Sequence, residues 1–183
     1  MDSEKDLIEG CCRGDRKSQR RLFDLFSKKM KVVAMRYSKS DLEAEDILQE
    51  SFIKIFDKIK TFRGDSRLEF WIKRVVVNTA LNHQRSKLYL FPMVDVNGLT
   101  CLEDGGFSLA GFHFRELLKL IQDLPSGCQV IFNLFAIEGY SHKEIAEMLD
   151  ISEGTSKSQY ARARSLLREK IEKEESISYG NAR

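Results

Sequence analysis

The stretch that decides the fold is SHKEIAEMLDISEGTSKSQYARARSLLREK, residues 141–170. It predicts two helices separated by a tight turn. Ser141 and Glu144 have the spacing of a capping box, which satisfies free backbone N–H groups at a helix start. The apolar face of this first helix is supplied by Ile145, Ala146, Met148 and Leu149. The pattern is interrupted at Asp150, and Ser152 restarts it as the N-cap of a second helix.

The second helix has a polar side whose composition suits DNA. Its buried side is expected to hold Tyr160, Ala163, Leu167 and Ile171, and its other side to carry Ser156, Lys157, Ser158, Gln159, Arg162 and Arg164. Two helices in this layout predict a helix-turn-helix, in which the second helix enters the major groove. Residues 152–170 hold five basic and two acidic residues. An ordinary helical hairpin with a solvated charged face remains the alternative.

Composition places the chain among soluble, folded, all-helical proteins. It has 183 residues, 32% of them charged and 42% hydrophobic, with a net charge of only +2. Any nucleic-acid surface must therefore be local. We expect no membrane insertion, no signal peptide and a cytoplasmic location. Four cysteines without a C-x-x-C pair, and three scattered histidines, predict reduced thiols and no zinc site. We expect no other cofactor.

The chain is expected to form two small helical domains joined by a linker. The predicted parts are residues 1–87, a linker at 88–112, a helix-turn-helix domain at 113–175 and a disordered tail at 176–183. The linker contains Pro92 and several glycines, lacks Lys and Arg, and carries three acidic residues. Its many apolar side chains indicate that it docks on something. In the C-terminal domain, Ser126 and Gln129 repeat the capping-box spacing.

Two stretches of the N-terminal domain have opposite charge. Residues 41–60, which follow a potential N-cap at Ser40, hold six acidic residues and three lysines. This acidic helix suits a protein partner with a basic surface, although a merely solvated face is commoner in general. Lys28, Lys29 and Lys31 of the preceding helix are most simply its solvated face.

Residues 63–87 hold six basic and two acidic residues. The apolar side of their helix is predicted to use Phe70, Ile72, Val75, Val76, Thr79 and Ala80, and the other side to offer Trp71, Lys73, Arg74, Asn78, Asn82, Gln84 and Arg85. Aromatic, amide and basic side chains together can stack on unpaired bases and pair with phosphates. The alternative is that Trp71 is simply a core residue.

Three motifs together resemble the sigma-70 family of RNA polymerase sigma factors, in its extracytoplasmic-function group. AEDILQESFIKIF (44–56) is similar to the family's region 2.2, and FRGDSRLEFWIKRVVVNTALNHQR (62–85) to regions 2.3 and 2.4. Residues 124–171, from LPSGCQ to LLREKI, are similar to region 4. The resemblance implies a non-enzymatic factor that binds core RNA polymerase, through its β′ and β subunits, and helps to open promoter DNA.

The resemblance also implies a site for each partner. A coiled coil of β′ would be bound by Asp46, Gln49, Glu50 and Ile53. The minus-10 element would be read by Arg63, Arg67, Trp71, Arg74, Asn78, Asn82 and Arg85 in and after the 62–67 loop. The minus-35 element would be read by Ser156, Lys157, Ser158, Gln159, Ala161, Arg162, Arg164 and Arg168. Many family members have Val in place of Ser156 and Arg in place of Gln159, so base preference here stays open. A separate anti-sigma factor is expected.

Two other functions compete with this one. A stand-alone helix-turn-helix regulator would need a dimerisation surface and a palindromic operator. A DNA-processing enzyme such as a recombinase would need a nucleophile or clustered metal carboxylates beside the basic face. The only dense acids are Glu43, Glu45, Asp46 and Glu50, and their helix also carries an apolar core face.

Overall fold

The computed structural model describes residues 4–88 and 114–180, and every regular element within them is helical. The all-helical fold class predicted from the sequence is therefore confirmed. The chain divides into two compact units, Met1–Arg85 and Ser86–Arg183. The predicted linker lies outside the described residues, apart from residue 88 at the end of a helix.

The first unit contains four helices, α1 (Glu4–Cys12), α2 (Arg16–Tyr37), α3 (Asp41–Lys58) and α4 (Leu68–Leu88). The turn after α1 uses Gly14 at a φ of 77°, which is favourable only for glycine. The next residue, Asp15, then caps α2 by accepting a hydrogen bond from the Ser18 N–H at 2.9 Å. A 3₁₀ turn, Ile59–Thr61, and the loop 62–67 join α3 to α4.

The start of α3 is a modified capping box. The Ser40 hydroxyl accepts from the Glu43 N–H at 3.2 Å, as the spacing predicts. The Glu43 carboxylate reaches one residue further back than in the standard motif and accepts from the Lys39 N–H at 2.8 Å. Both bonds satisfy N–H groups at or before the helix start, so this boundary is well determined by sequence.

The core of the first unit is formed mainly by α2, α3 and α4. Its fully buried large side chains are Leu22, Met30, Tyr37, Ile47, Ile55, Ile59, Leu68 and Ile72. Two assignments on α4 were wrong. The side chain of Phe70 is 54% exposed, not inward, although it lies on the same side of the helix as the buried Val77 and Leu81, seven and eleven residues later. The predicted surface residue Gln84 is fully buried and donates to the Tyr37 carbonyl at 2.5 Å.

The second unit contains α5 (Phe114–Gln122), α6 (Ser126–Phe132), α7 (His142–Leu149) and α8 (Glu153–Gly180). A π-helical turn, Asn133–Ile137, continues α6, and the chain turns two residues later at Gly139, whose φ is 82°. One apolar cluster joins α5 and α6 to α8 through Leu120, Leu124, Cys128, Ala163, Leu167 and Ile171. Within the described residues, no helix has the length and apolarity needed to cross a membrane.

Two further predictions about the second unit were wrong. Ser126 does not cap α6, since the N-cap position belongs to Pro125 and no side chain makes a capping bond. Gln129, the supposed partner of Ser126, is fully buried instead. The tail predicted from residue 176 continues α8 as helix as far as Gly180.

Candidate functional site

The turn between α7 and α8 has the geometry that the sequence predicts. The Ser141 hydroxyl accepts from the Glu144 N–H at 3.3 Å, and the Glu144 carboxylate accepts from the Ser141 N–H at 2.8 Å. Asp150 ends α7 in the left-handed conformation, with a φ of 56°. The Ser152 hydroxyl then accepts from the Thr155 N–H at 2.9 Å and starts α8. Backbone conformation and capping together fix a tight helix-turn-helix.

Two of the residues expected to face DNA are on the core side of α8. Ser156 is fully buried and Gln159 is 4% exposed. The Ser156 hydroxyl pairs with His142 Nδ1 at 2.9 Å, and Gln159 Oε1 accepts from the Cys128 thiol at 3.1 Å. Their solvent-facing placement was therefore wrong. Ser156 lies seven residues and Gln159 four residues before the buried Ala163, and this spacing keeps all three on one side of a helix.

The outer face of α8 retains the other predicted residues. Lys157 is exposed and forms an ion pair with Glu153 at 2.7 Å, one turn earlier. The Ser158 hydroxyl donates to the Thr155 carbonyl at 3.1 Å. Partly exposed positions continue this face at Ala161, Arg162, Arg164 and Arg168. The accessible face thus starts with one exposed lysine and becomes richer in arginine along the helix.

An aromatic cluster supports the start of α7 against α8. The His142 ring stacks on Phe135 with centroids 4.2 Å apart and planes at 13°. Tyr160 of α8 lies against both rings, at 4.6 Å from Phe135 and 5.8 Å from His142. Burial, and secondarily the charge of Lys157, lower the pKa of His142, so the ring is neutral at pH 7. A neutral imidazole can form the hydrogen bond seen between His142 Nδ1 and the Ser156 hydroxyl.

The α4 face brings together most of the residues predicted for the minus-10 element. Arg74, Asn78, Asn82 and Arg85 are exposed at spacings of four, four and three residues, so they form one continuous stripe. Arg67, which immediately precedes α4, is also exposed and extends the stripe toward the loop. Arg63 is exposed within the loop itself. The stripe combines positive charge with amide groups that can hydrogen-bond base edges.

Trp71 is neither a fully buried core residue nor a fully exposed residue that could stack on bases. Its side chain is partly exposed, and it contacts Phe62 of the loop with centroids 5.7 Å apart. The loop turns at Gly64, whose φ is 80°. The indole therefore braces the loop from one side while part of its surface stays accessible.

The α3 face combines acidic and apolar side chains. Asp46 and Gln49 are exposed, and the Ile53 side chain is 63% exposed. Leu42, which sequence reasoning missed, is 71% exposed and lies four residues before Asp46 on the same stripe. Leu42 and Ile53 are thus two exposed apolar side chains on one side of a helix whose exposed face is otherwise mainly acidic. The sequence did not mark Leu42 as a surface residue, because α3 already had enough apolar residues for its core face.

Glu50 differs from its neighbours because its carboxylate is already engaged. It pairs with Lys54 at 2.6 Å and with His83 of α4 at 2.5 Å. The hydrogen bond from Lys54, and then that from His83, lower the pKa of Glu50. This residue therefore joins α3 to α4 as well as contributing charge to the α3 face. No group of three or more potential metal ligands occurs within the described residues.

Two family models match successive parts of the chain. The family model "Sigma-70 region 2" matches residues 22–88, and "Sigma-70, region 4" matches residues 114–167. The chain is 30% identical to the ECF RNA polymerase sigma-E factor of Haemophilus influenzae, covering 93% of this chain and 96% of that protein. It is 29% identical to the sigma-E factor of Escherichia coli K12, covering 93% and 95% respectively.

Solved structures support the same fold. The sigma factor RpoE of Bartonella quintana, in complex with the anti-sigma factor NepR, matches with a TM-score of 0.52 at 22% identity, covering 84% of this chain and 96% of that one. CnrH, in complex with the cytosolic domain of CnrY, matches with a TM-score of 0.50 at 18% identity, covering 93% and 98%. The sequence matches span both units in one order, and the chain therefore belongs to the sigma-70 family, in its extracytoplasmic-function group.

Proposed function

We propose that this protein binds core RNA polymerase, directs it to specific promoters and assists promoter opening. The observation that carries the proposal is the presence of regions 2 and 4 in one chain, aligned over nearly the full length of sigma-E relatives. A stand-alone regulator would leave the α3 and α4 faces without a purpose. The protein acts as an initiation factor rather than as an enzyme, in the cytoplasm where polymerase works.

The α3 face is the proposed polymerase surface. Asp46, Gln49 and Ile53 are accessible on one stripe, and Leu42 extends it by one turn. Acidic side chains around exposed apolar ones match a basic partner surface with an apolar centre, such as the β′ coiled coil implied by the family. Glu50 contributes negative charge there, but its pairing with His83 gives it a structural role as well.

The α4 face and the loop before it are the proposed minus-10 surface. Arg63 and Arg67 lie at the loop, while Arg74, Asn78, Asn82 and Arg85 follow along one side of the helix. Single-stranded DNA is bound by stacking on aromatic rings together with charge along its backbone. Trp71 contributes mainly by fixing the loop through Phe62, with its accessible edge available to an unpaired base.

The outer face of α8 is the proposed minus-35 surface. Lys157 and Ser158 lie in the first turns of the helix, where side chains of a recognition helix reach base edges. Ala161 and Arg162 follow, and Arg164 and Arg168 lie further along, where phosphates are the expected partners. Ser156 and Gln159 are excluded from this surface by their burial and act by orienting α8.

A separate anti-sigma factor is the proposed regulator. The RpoE of Bartonella quintana was solved with the anti-sigma factor NepR bound. By analogy with that complex, a dedicated inhibitor would cover the polymerase-binding and promoter-binding faces of this chain. Purification of the tagged protein from its source organism, followed by identification of stoichiometric partners, tests this point.

Run-off transcription tests the proposed function directly. Core polymerase from the source organism is mixed with genomic fragments, with and without the protein. We expect a set of discrete transcripts that requires the protein and shares two sequence elements upstream of the start sites. If the protein alone binds palindromic sites and adds no transcripts, it is a stand-alone regulator instead.

A charge reversal tests the polymerase surface. Asp46→Lys should weaken binding to core polymerase, because it places a cation against a basic partner. Glu50→Lys is less suitable, since it also breaks the pair with His83. The matched control is Glu172→Lys, an exposed carboxylate on α8 of the second unit. Equal affinity of Asp46→Lys and the unsubstituted protein for core would show that the α3 face is only solvated.

A further inference from the structure

The strongest local charge in the chain lies on α2, which none of the proposed surfaces uses. This helix carries eight basic residues and one acidic residue, Asp24, whereas the whole chain has a net charge of +2. Basic side chains on a solvated face ordinarily alternate with acidic ones, which limits their mutual repulsion. The concentration of positive charge on α2 therefore favours binding to a negatively charged partner.

Ion pairs compensate part of this charge in both halves of α2. In the C-terminal half, Lys29 pairs with Glu69 at 2.9 Å and Lys31 pairs with Glu45 at 2.8 Å. In the N-terminal half, a shallow depression of about 550 Å³ is lined by Arg16, Lys17, Arg20, Arg21, Asp24 and Leu25. Asp24 supplies the single carboxylate there and binds Arg20 at 3.1 Å. The nearby Asp15 is engaged in capping the helix.

This basic surface starts close to the minus-10 loop. The pair between Lys29 and Glu69 joins the middle of α2 to the first turn of α4, next to residues 62–67. Leu25 and Arg21 lie one and two turns before Lys29, and Arg16 lies thirteen residues before it. At 1.5 Å per residue, the surface extends about 20 Å from that pair. Duplex DNA rises about 3.4 Å per base pair, so this length corresponds to roughly six base pairs.

We propose that the N-terminal half of α2 binds the phosphate backbone of promoter DNA beside the minus-10 element. This inference rests on the proposed function. Phosphate contacts come mainly from Arg and Lys side chains, and they add affinity without reading sequence. A protein partner fits less well, because the centre of a protein interface is depleted of charge and rich in aromatic residues. The depression has four cationic side chains, no aromatic ring and one exposed leucine.

The test uses a double substitution and a matched control. Arg16→Gln with Lys17→Gln removes one arginine and one lysine from the depression. Arg115→Gln with Lys119→Gln removes the same two residue types from exposed positions on α5 of the second unit. Each protein is assembled with core polymerase, and the affinity for a promoter found by run-off transcription is measured between 50 and 200 mM salt. Trp71 fluorescence and core affinity verify folding.

Each lost phosphate contact should reduce the slope of log affinity against log salt by about 0.9 for duplex or 0.7 for single-stranded DNA. The α2 double variant should therefore lose about 1.8 or 1.4 units of slope. The factor by which affinity falls over this salt range should then be roughly tenfold smaller than in the unsubstituted protein. The α5 control should keep the slope of the unsubstituted protein. The order of promoter preference should not change in either variant.

Shortened promoters provide the second arm of the test. Removing the six or so base pairs beside the minus-10 element should abolish the difference between the α2 variant and the unsubstituted protein. An unchanged slope in the α2 variant overturns the inference. Weakened core binding with an unchanged DNA slope also overturns it, because α2 would then dock on protein. If the unsubstituted protein supports no promoter-specific transcription, the proposed function itself fails, and this inference fails with it.

Discussion

The two helices proposed to read the promoter elements, α4 and α8, are anchored in different ways. α4 is held by an apolar stripe of Leu68, Ile72, Val76, Ala80 and Leu81, all 5% exposed or less. From Ala163 onward, α8 is held similarly, through Ala163, Leu167 and Ile171. Its first turns are held by polar contacts as well, from Ser156 to His142 and from Gln159 to Cys128, next to the aromatic contacts of Tyr160.

The difference matters because apolar packing and hydrogen bonding constrain a helix differently. Apolar burial is non-directional and stabilises α4 along its length, while the directional contacts of Gln84 with Tyr37 and of His83 with Glu50 lie near its C-terminal end. Hydrogen bonds are directional and sensitive to distance, so they hold the first turns of α8 in one orientation. These first turns are the part proposed to meet base edges. The chain thus uses polar contacts where the angle of a helix determines what it reads.

The largest expected effect tests the apolar anchor of α4. Ile72→Ala should lower the free energy of unfolding of the first unit by about 2–5 kcal/mol, because it leaves a cavity at a fully buried site. Denaturant titration followed by fluorescence measures this, since Trp71 is the only tryptophan and lies in the first unit. Ile53→Ala, the same substitution at a 63% exposed site, is the control and should change stability by less than about 0.5 kcal/mol.

The next effect tests the polar anchor of α8. Ser156→Ala should destabilise the second unit by about 1–3 kcal/mol, because it leaves the partly buried His142 nitrogen without its hydroxyl partner. Hydrogen exchange of the α8 amides measures this locally. Ser165→Ala removes a hydroxyl from an exposed position of the same helix and should have little effect. Similar exchange in both variants would mean that the Ser156 contact does not hold the helix.

Sequence was sufficient for the fold class and for most helix boundaries. Capping residues such as Ser40, Ser141 and Ser152 act locally, so their spacing predicts helix starts without knowledge of the tertiary structure. Ser126 is the exception, because Pro125 occupies the N-cap position before it. The apolar residues Ala163, Leu167 and Ile171 were also identified correctly as core, since helical periodicity reports burial directly.

Sequence was less reliable for polar residues, because polarity alone does not tell surface from a satisfied interior. Ser156, Gln159 and Gln84 were all assigned to surfaces, and all three are buried with hydrogen-bond partners from distant parts of the chain. Phe70 is the opposite error, an aromatic residue assigned to the core that is exposed. For Ser156 and Gln159, the helical spacing from Ala163 was a usable signal, whereas the exposure of Phe70 depends on contacts between helices, which no local pattern contains.

The third prediction separates the two kinds of DNA contact proposed for α8. Lys157→Ala should change the order in which minus-35 sequences are used, by about 1 kcal/mol or roughly fivefold for the affected base pair. Arg168→Ala should weaken all of them alike and reduce the salt slope by about one unit. Transcription from a promoter library randomised at minus-35 measures both. On pre-melted templates both variants should recover much of their activity, because melting is assigned to the first unit.

The control for this prediction is Glu153→Gln, which breaks the ion pair of Lys157 but keeps the lysine. A solvent-exposed pair of this kind contributes little, so the order of minus-35 sequences should stay close to that of the unsubstituted protein. If Lys157→Ala leaves the order unchanged while Arg168→Ala alters it, the orientation proposed for α8 in the groove is incorrect.

The smallest expected effect concerns pH and the polar anchor. The pKa of His142 is lowered in the folded protein, chiefly by burial, from an ordinary value of about 6.5. Below that value the unfolded chain binds a proton that the folded unit resists, so the second unit should lose stability as pH falls from 7.5 to 5.5. The carboxylates of Glu144 and Glu153, whose pKa values are lowered by hydrogen bonds, titrate below this window.

His142→Phe keeps an aromatic ring on Phe135 but cannot take up a proton. Hydrogen exchange of the α8 amides, measured together with thermal unfolding at both pH values, should therefore show that the variant is less stable at pH 7.5. Its stability should also depend less on pH. An equally steep dependence in His142→Phe would assign the pH effect to another group.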